Sequence, residues 1–235
     1  MSTRCILVTG SSSGIGQEIV NALLESGAKV IGIARDQEKF TPSSESYWPY
    51  EIDLGDVENL TKAVKKILSI HTNIDGFISC AGYGDFRLLE NFSPSQIISF
   101  FDTNLLAHIL LTKLLLPTMK KSKKFGNIIF IGSEAALRGS KKATLYSASK
   151  FGLRGFAQAL REESSTSNIS VTIINPGMVR TPFFDSLGFK PGVHKTNSLE
   201  PEDIASLVMS ILNGRRGTVI DEINLSPLKK VISFD

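Results

Sequence analysis

Tyr146 and Lys150 stand four residues apart in LYSASK, residues 145–150. On a helix that spacing puts both side chains on one face. A free phenol, with a pKa of about 10, is a poor proton donor or acceptor at neutral pH, and an ammonium beside it favours the phenolate. Such a pair suits general acid–base chemistry, although a Tyr/Lys pair at this spacing is also ordinary surface packing. Ser133 closes the strand-like run GNIIFIGS thirteen residues before Tyr146, at the sheet edge where open α/β folds present ligands. Its hydroxyl could donate a hydrogen bond to a carbonyl oxygen as charge develops there. A nucleophilic role is not expected, because the G-x-S-x-G elbow is absent and no motif links His71, His108 or His194 to Ser133. These histidines form no metal-binding spacing with the cysteines or acids, so no metal is expected.

A second chemical feature is the turn VTGSSSGIGQEIV, with Gly10, Gly14 and Gly16 between a strand and a helix. Glycines let a diphosphate approach bare backbone at a helix N-terminus, where unpaired N–H groups and the dipole favour anions. The spacing is GxxxGxG, which is neither GxGxxG nor the lysine-bearing NTPase loop, and an ordinary tight turn would read similarly. After the next strand comes GIARDQ, at the position that inspects the adenosine ribose in dinucleotide folds. Ala34 offers no carboxylate for a free 2′-hydroxyl, and Arg35 offers a guanidinium fork for a 2′-phosphate. NADP is therefore favoured over NAD. A shift of one residue in the strand end would exchange Arg35 for Asp36, and Arg35 could also be a solvated loop charge.

These groups need a scaffold. CILVTG, KVIGIA, DGFISC, GNIIFIG, SVTIINP and TVIDEINL read as strands, and the segment TPSSESYWPYEID is expected to hold a loop and a short strand. Helical patterns fall between them at 16–26, 57–69, 94–121, 146–163 and 201–212. The alternation predicts a doubly wound Rossmann-type parallel sheet in three layers, one domain over 1–235. The stretch FFDSLGFKPGVHKTNSLEPED follows a strand's carboxyl end and is expected to be a substrate loop at about 182–203, a disordered surface loop being the plain alternative. Helix 94–121 is apolar nearly all round, which predicts burial against a second subunit in a homodimer or homotetramer.

Bulk properties narrow the class. With 42% hydrophobic and 21% charged residues among 235, the chain suits a soluble globular fold. A net charge of +3 is too small to indicate a nucleic-acid binder, and the patch KKSKK, 120–124, reads as a solvated loop. Asp102, Asn104, His108 and Lys113 interrupt the most apolar run, which argues against a membrane span. Cys5 and Cys80 sit in apolar strands and are expected to be reduced thiols. With no secretory signal pattern at the start, the expectation is a cytoplasmic protein.

Taken in order, TGSSSGIG, DTNLLA, Ser133, YSASK and NPGMVRTP resemble the short-chain dehydrogenase/reductase family over essentially the whole chain. The resemblance implies that Tyr146 protonates a carbonyl oxygen in reduction or deprotonates an alcohol in oxidation. It implies that Lys150 lowers the Tyr146 pKa and bonds the nicotinamide ribose, that Ser133 holds the carbonyl oxygen, and that Asn104 supports a water relay. Implied cofactor contacts are Gly10, Ser12, Ser13, Gly14, Ile15 and Gly16 in the turn, Arg35, Asp53 and Leu54 toward adenine, Ala81 and Gly82 on the ribose side, and Pro176, Gly177, Val179 and Thr181 around the nicotinamide. The implied activity is NADP-dependent reduction of a small carbonyl compound or oxidation of the alcohol, with NAD left open. A catalytically silent dinucleotide sensor is the other reading, disfavoured by the complete Ser133, Tyr146 and Lys150 set. Cys80 in SCAG replaces an asparagine that braces backbone in the family, which puts the local geometry in question.

Overall fold

The structure, a computed structural model, describes residues 3–122 and 124–234. The first half runs β1 (Cys5–Thr9), α1 (Gly14–Glu25), β2 (Lys29–Ala34), β3 (Tyr47–Glu51), α2 (Val57–Ile70) and β4 (Gly76–Ser79). The second runs α3 (Pro94–Phe101), α4 (Ala107–Lys121), β5 (Gly126–Ile131), α5 (Thr144–Glu163), β6 (Ile169–Pro176), β7 (Phe189–Pro191), α6 (Pro201–Leu212), β8 (Glu222–Leu225) and β9 (Ile232–Phe234). Among the described residues, seven strands form one parallel sheet in the order β3-β2-β1-β4-β5-β6-β8.

Alternation along each strand feeds two separate cores. Leu7, Ile31, Phe77, Ile128 and Phe130 pack with Leu60 and Val64 of α2, Leu111 and Leu115 of α4, and Leu153 and Ala157 of α5. Ile6, Val8, Val30, Ile78 and Ile129 pack on the other face with Ile19, Val20 and Leu23 of α1 and Ile204 and Val208 of α6. Burial on both faces explains why these strands read as continuous apolar runs. The expected three-layer doubly wound fold is the one observed. Strand order reverses between β1 and β4, so their carboxyl ends flank the crevice where such sheets take ligands.

Three local features differ from the expectation. The long helix 94–121 is broken by a π-helical turn, Asp102–Leu106, in which the Ala107 N–H donates to the Asp102 carbonyl. By length and composition the run could cross a membrane, yet it lays Ala107, Leu111, Leu115 and Met119 onto the sheet. The strand expected from 218 onward is confined to β8, Glu222–Leu225. The irregular stretch after β6 is ordered by a two-stranded antiparallel ribbon in which Phe189 pairs with Phe234 and Pro191 with Ile232. The partners lie about forty residues apart in sequence, so local pattern gives no sign of them. Of the basic patch, Lys120 and Lys121 end α4, and Lys123 lies outside the described residues.

Candidate active site

The site is assembled at the carboxyl ends of β1, β4, β5 and β6. At the first of these, Gly10 and Gly14 adopt φ of +68° and +51°, in the left-handed region that favours glycine. A methyl group on Gly16 would come within 2.1 Å of the Gly10 carbonyl oxygen, so α1 approaches the turn at a distance only glycine permits. Ser13 caps α1 without a side-chain hydrogen bond, and the first turn carries no acid. That leaves N–H groups at this helix end for an anion, and the residues fit a dinucleotide diphosphate. Ser12 is buried beneath the turn while Ser13, Gly14 and Ile15 keep accessible surface.

Close contacts bring the predicted segments together. A methyl on Gly10 would meet the Ala81 Cα at 3.1 Å, and one on Gly14 would meet the Thr181 side chain at 3.1 Å. One on Gly82 would lie 2.8 Å from Asn104 Oδ1 and 3.9 Å from Lys150 Nζ. Gly177 packs against Pro227 and Glu134, while Pro176 and Val179 are buried. At the adenine side, β2 ends at Ala34, so Arg35 is the first residue beyond the strand and is exposed. Asp36 is engaged, accepting from the Glu38 N–H at 3.1 Å and pairing with Lys39 at 3.1 Å. Asp53 is exposed and accepts from the Gly55 N–H at 2.9 Å. The Leu54 side chain is buried in the core, which leaves its backbone to face a ligand.

Asn104 sits in the π-helical turn. Its Oδ1 accepts from the Tyr83 N–H at 3.0 Å and its Nδ2 donates to the Phe100 carbonyl at 3.1 Å. A π turn leaves a carbonyl without its usual i+4 partner, and here the side chain takes up one such group. Lys150 is 4% exposed and donates to the Ile131 carbonyl at 3.2 Å, with Nζ 5.7 Å from the Tyr146 ring centroid. Ser133 begins a 3-10 turn, where its Oγ accepts from the Ala135 N–H at 3.1 Å.

The electrostatics depart from expectation in one respect. Removal of the phenol from solvent pushes Tyr146 up to about 12, and the Ser133 side chain, as its hydrogen-bond partner, works in the opposite direction. Lys150 is not among the groups that set this value. Burial likewise pushes its ammonium down to about 8. Desolvation disfavours both charged forms, and Lys150, at about 8, has lost its charge before the phenol titrates at about 12.

Two supports lay outside the sequence reading. Thr9 Oγ1 accepts from the N–H groups of Cys80 and Ala81, at 3.0 and 3.2 Å, so a hydroxyl on β1 holds the turn after β4. His108, one turn beyond Asn104, is 1% exposed, and its Nδ1 lies 2.6 Å from Ser79 Oγ. Burial, with the Lys150 charge second, pushes it down to about 3, so it is neutral. The i,i+4 spacing from Asn104 was the available signal. Cys5 and Cys80 are free thiols, as expected.

Known proteins share the sequence pattern and the fold. An uncharacterised oxidoreductase of Staphylococcus aureus is 29% identical over 233 residues, covering 97% of this chain and 99% of that one. The 3-oxoacyl-[acyl-carrier-protein] reductase of Buchnera aphidicola is 29% identical over 234 residues, 98% of this chain and 92% of its own. A solved metagenomic short-chain oxidoreductase in complex with NADP superposes with a TM-score of 0.82 at 28% identity, covering 95% and 96% of the two chains. The sequence profile of the short chain dehydrogenases matches residues 4–190, and the chain belongs to that family, the NAD(P)-dependent short-chain dehydrogenases/reductases.

Proposed function

We propose that the chain reduces the carbonyl group of a small substrate, or oxidises the corresponding alcohol, with NADP as cofactor and Tyr146 as the acid–base residue. The observation that carries this reading is the convergence of a phenol, the Ser133 hydroxyl and a buried ammonium beside the Gly82–Asn104 contact. Bound NADPH supplies the hydride. Ser133 holds the carbonyl oxygen, and Tyr146, protonated throughout the neutral range, donates its proton to that oxygen as negative charge grows there. Lys150, held between the Ile131 carbonyl and the Tyr146 ring, supplies positive charge and a donor for the nicotinamide ribose. Asn104, fixed through both ends of its amide, orients a water that returns protons toward Lys150.

Cofactor contacts fall to Gly10, Ser12, Ser13, Gly14, Ile15 and Gly16 for the diphosphate, Arg35, Asp53 and Leu54 for the adenosine side, Ala81 and Gly82 for ribose, and Pro176, Gly177, Val179 and Thr181 for the nicotinamide. The preference for NADP rests on Arg35, exposed just past β2 while the neighbouring Asp36 is engaged by Lys39. The single domain carries its substrate loop at about 182–203. Exposed Ile98, Leu106 and Phe151, on and beside the helices α3, α4 and α5, support a homodimer or homotetramer.

The test is NADPH oxidation over aldehydes, ketones and oxo acids. Tyr146→Phe is expected to lower kcat/KM about 10²- to 10⁴-fold with NADPH affinity unchanged. Arg35→Ala is expected to remove most of the NADPH-over-NADH preference, about tenfold or more. Full activity in Tyr146→Phe, or tight NADPH binding with no turnover of any carbonyl, would overturn the reading and leave a dinucleotide sensor.

A further inference from the structure

The Tyr146 ring belongs to a closed circuit of five aromatic rings. Phe86 lies 5.2 Å from Tyr146, Tyr146 5.9 Å from Phe183, Phe183 5.1 Å from Phe184, Phe184 5.9 Å from Phe189, and Phe189 5.0 Å from Phe86, centroid to centroid. All five meet tilted or edge-on, in the range that stabilises aromatic pairs. They come from three separate segments: the turn after β4, helix α5, and the stretch between β6 and α6. Each ring stays only partly buried, unlike Phe77, Phe100 and Phe130 of the core. A structural cluster would be sealed. This one keeps accessible surface on all five residues, although the phenol proposed to protonate the substrate is itself desolvated.

Cations near the circuit are answered by acids. Arg87, next to Phe86, is held by both Asp85 oxygens at 2.6 and 2.8 Å and lies over Phe92 at 4.2 Å. Arg180 is bound to Glu200, the Gly192 carbonyl and Ser198. Lys230 pairs with Glu134. Arg180 and Lys190 line a cavity with Phe184, and Asp185 stands in the same lining, where it opposes an anion. A carboxylate placed among these rings would lose hydration without gaining a partner from them, which is costly.

Resting on the reductase reading, we propose that this ring circuit is the substrate wall and that the group next to the reacting carbonyl is apolar and uncharged. Preferred substrates are then neutral aryl or alkyl ketones and aldehydes, rather than oxo acids. Phe86, Phe183, Phe184 and Phe189 set that preference. At 5.0–5.9 Å the rings already touch, so substrate enters by parting them.

A matched pair tests this: 4-phenylbutan-2-one and 4-oxopentanoate are methyl ketones that carry a phenyl or a carboxylate at the same distance from the carbonyl. With the full chain and NADPH, kcat/KM is expected to favour the phenyl ketone by about 10- to 200-fold. Phe86→Leu and Phe189→Leu, which keep an apolar core, should shrink that ratio severalfold, mainly through KM, with NADPH affinity unchanged. Equal or faster turnover of the oxo acid, or a ratio unmoved in both variants, overturns the proposal. If Tyr146→Phe still abolishes turnover in that case, the reductase reading stands and only the substrate class is wrong. If neither ketone turns over, their affinities for the NADPH-bound protein, followed by NADPH fluorescence, decide: tighter phenyl ketone binding that weakens in both variants upholds the aromatic wall, and any other result removes it.

Discussion

Replacing Lys150 with methionine should make the protein more stable at neutral pH while inactivating it. The side chain is 4% exposed, and burial moves its pKa from the ordinary 10.5 to about 8. At ~1.36 kcal/mol per pH unit, the distance from 10.5 to about 8 comes to about 3 kcal/mol. The sign follows from proton uptake. Between pH 8 and 10.5 the unfolded chain holds the lysine proton and the folded chain does not, so stability rises with pH across that window. Below pH 8 the folded protein carries the full cost of a buried ammonium. Methionine removes it but leaves the Ile131 carbonyl without its donor, a loss of about 1 kcal/mol. The net gain for Lys150→Met at pH 7 is therefore about 2 kcal/mol, or roughly 4–8 °C in Tm for a chain of this size. It should shrink through pH 8 to 10 and reverse by pH 10.5. Urea unfolding of both proteins at fixed concentration across pH 7 to 10.5 measures the difference directly. A variant less stable than the parent at pH 7, or a difference that does not change with pH, would refute the reasoning.

The same two pKa values shape activity. For the reductive direction, kcat/KM should hold level through neutral pH and fall above about 8 as Lys150 loses its charge, whereas oxidation should accelerate with rising pH because Tyr146 must first give up its proton; a reduction profile that climbs through pH 8 to 9 would contradict this. Ser79→Ala strips the buried His108 of its 2.6 Å partner and should cost about 1–3 kcal/mol in urea. In Gly32→Ala the new methyl would come within 2.2 Å of the Tyr47 hydroxyl, which binds Ser11 and Gln37 beneath the glycine turn. About 1–3 kcal/mol of stability should be lost there together with some NADPH affinity, and an unchanged Tm would show that Tyr47 moves aside freely.

What the sequence disclosed was whatever depends on near neighbours or on simple alternation. Six of the seven sheet strands, the glycine turn and the Tyr146–Lys150 pair are readable because period and i,i+4 spacing are local properties, whereas β3 is blurred by Pro49 and its partial exposure. α6 was placed at both ends, since Pro201 starts it and the apolar repeat stops at Leu212. The break at 102–106 was hidden, because an apolar helix and an apolar helix carrying one extra residue have nearly the same composition. Thr9 holding the Cys80 turn, Ser79 meeting His108, and the ring circuit all join segments far apart in the chain. The direction of the Tyr146 shift was also out of reach, since spacing reveals a neighbouring ammonium but not how completely both groups leave water. At Cys80 the backbone N–H is held by Thr9 Oγ1 from a different strand, a contact that local pattern does not reveal.

The ribbon formed by β7 and β9 is three residues deep and, among the described residues, pairs with neither edge of the main sheet. Its outer strand leaves Ile232 and Phe234 at 50% and 78% exposure. Peeling it away would uncover neither large core, so this segment can fray and reseal many times between global unfolding events. The working face thus has a softer thermal threshold than the scaffold. Gentle warming or brief protease treatment should blunt selectivity among carbonyl compounds well before the dinucleotide platform melts.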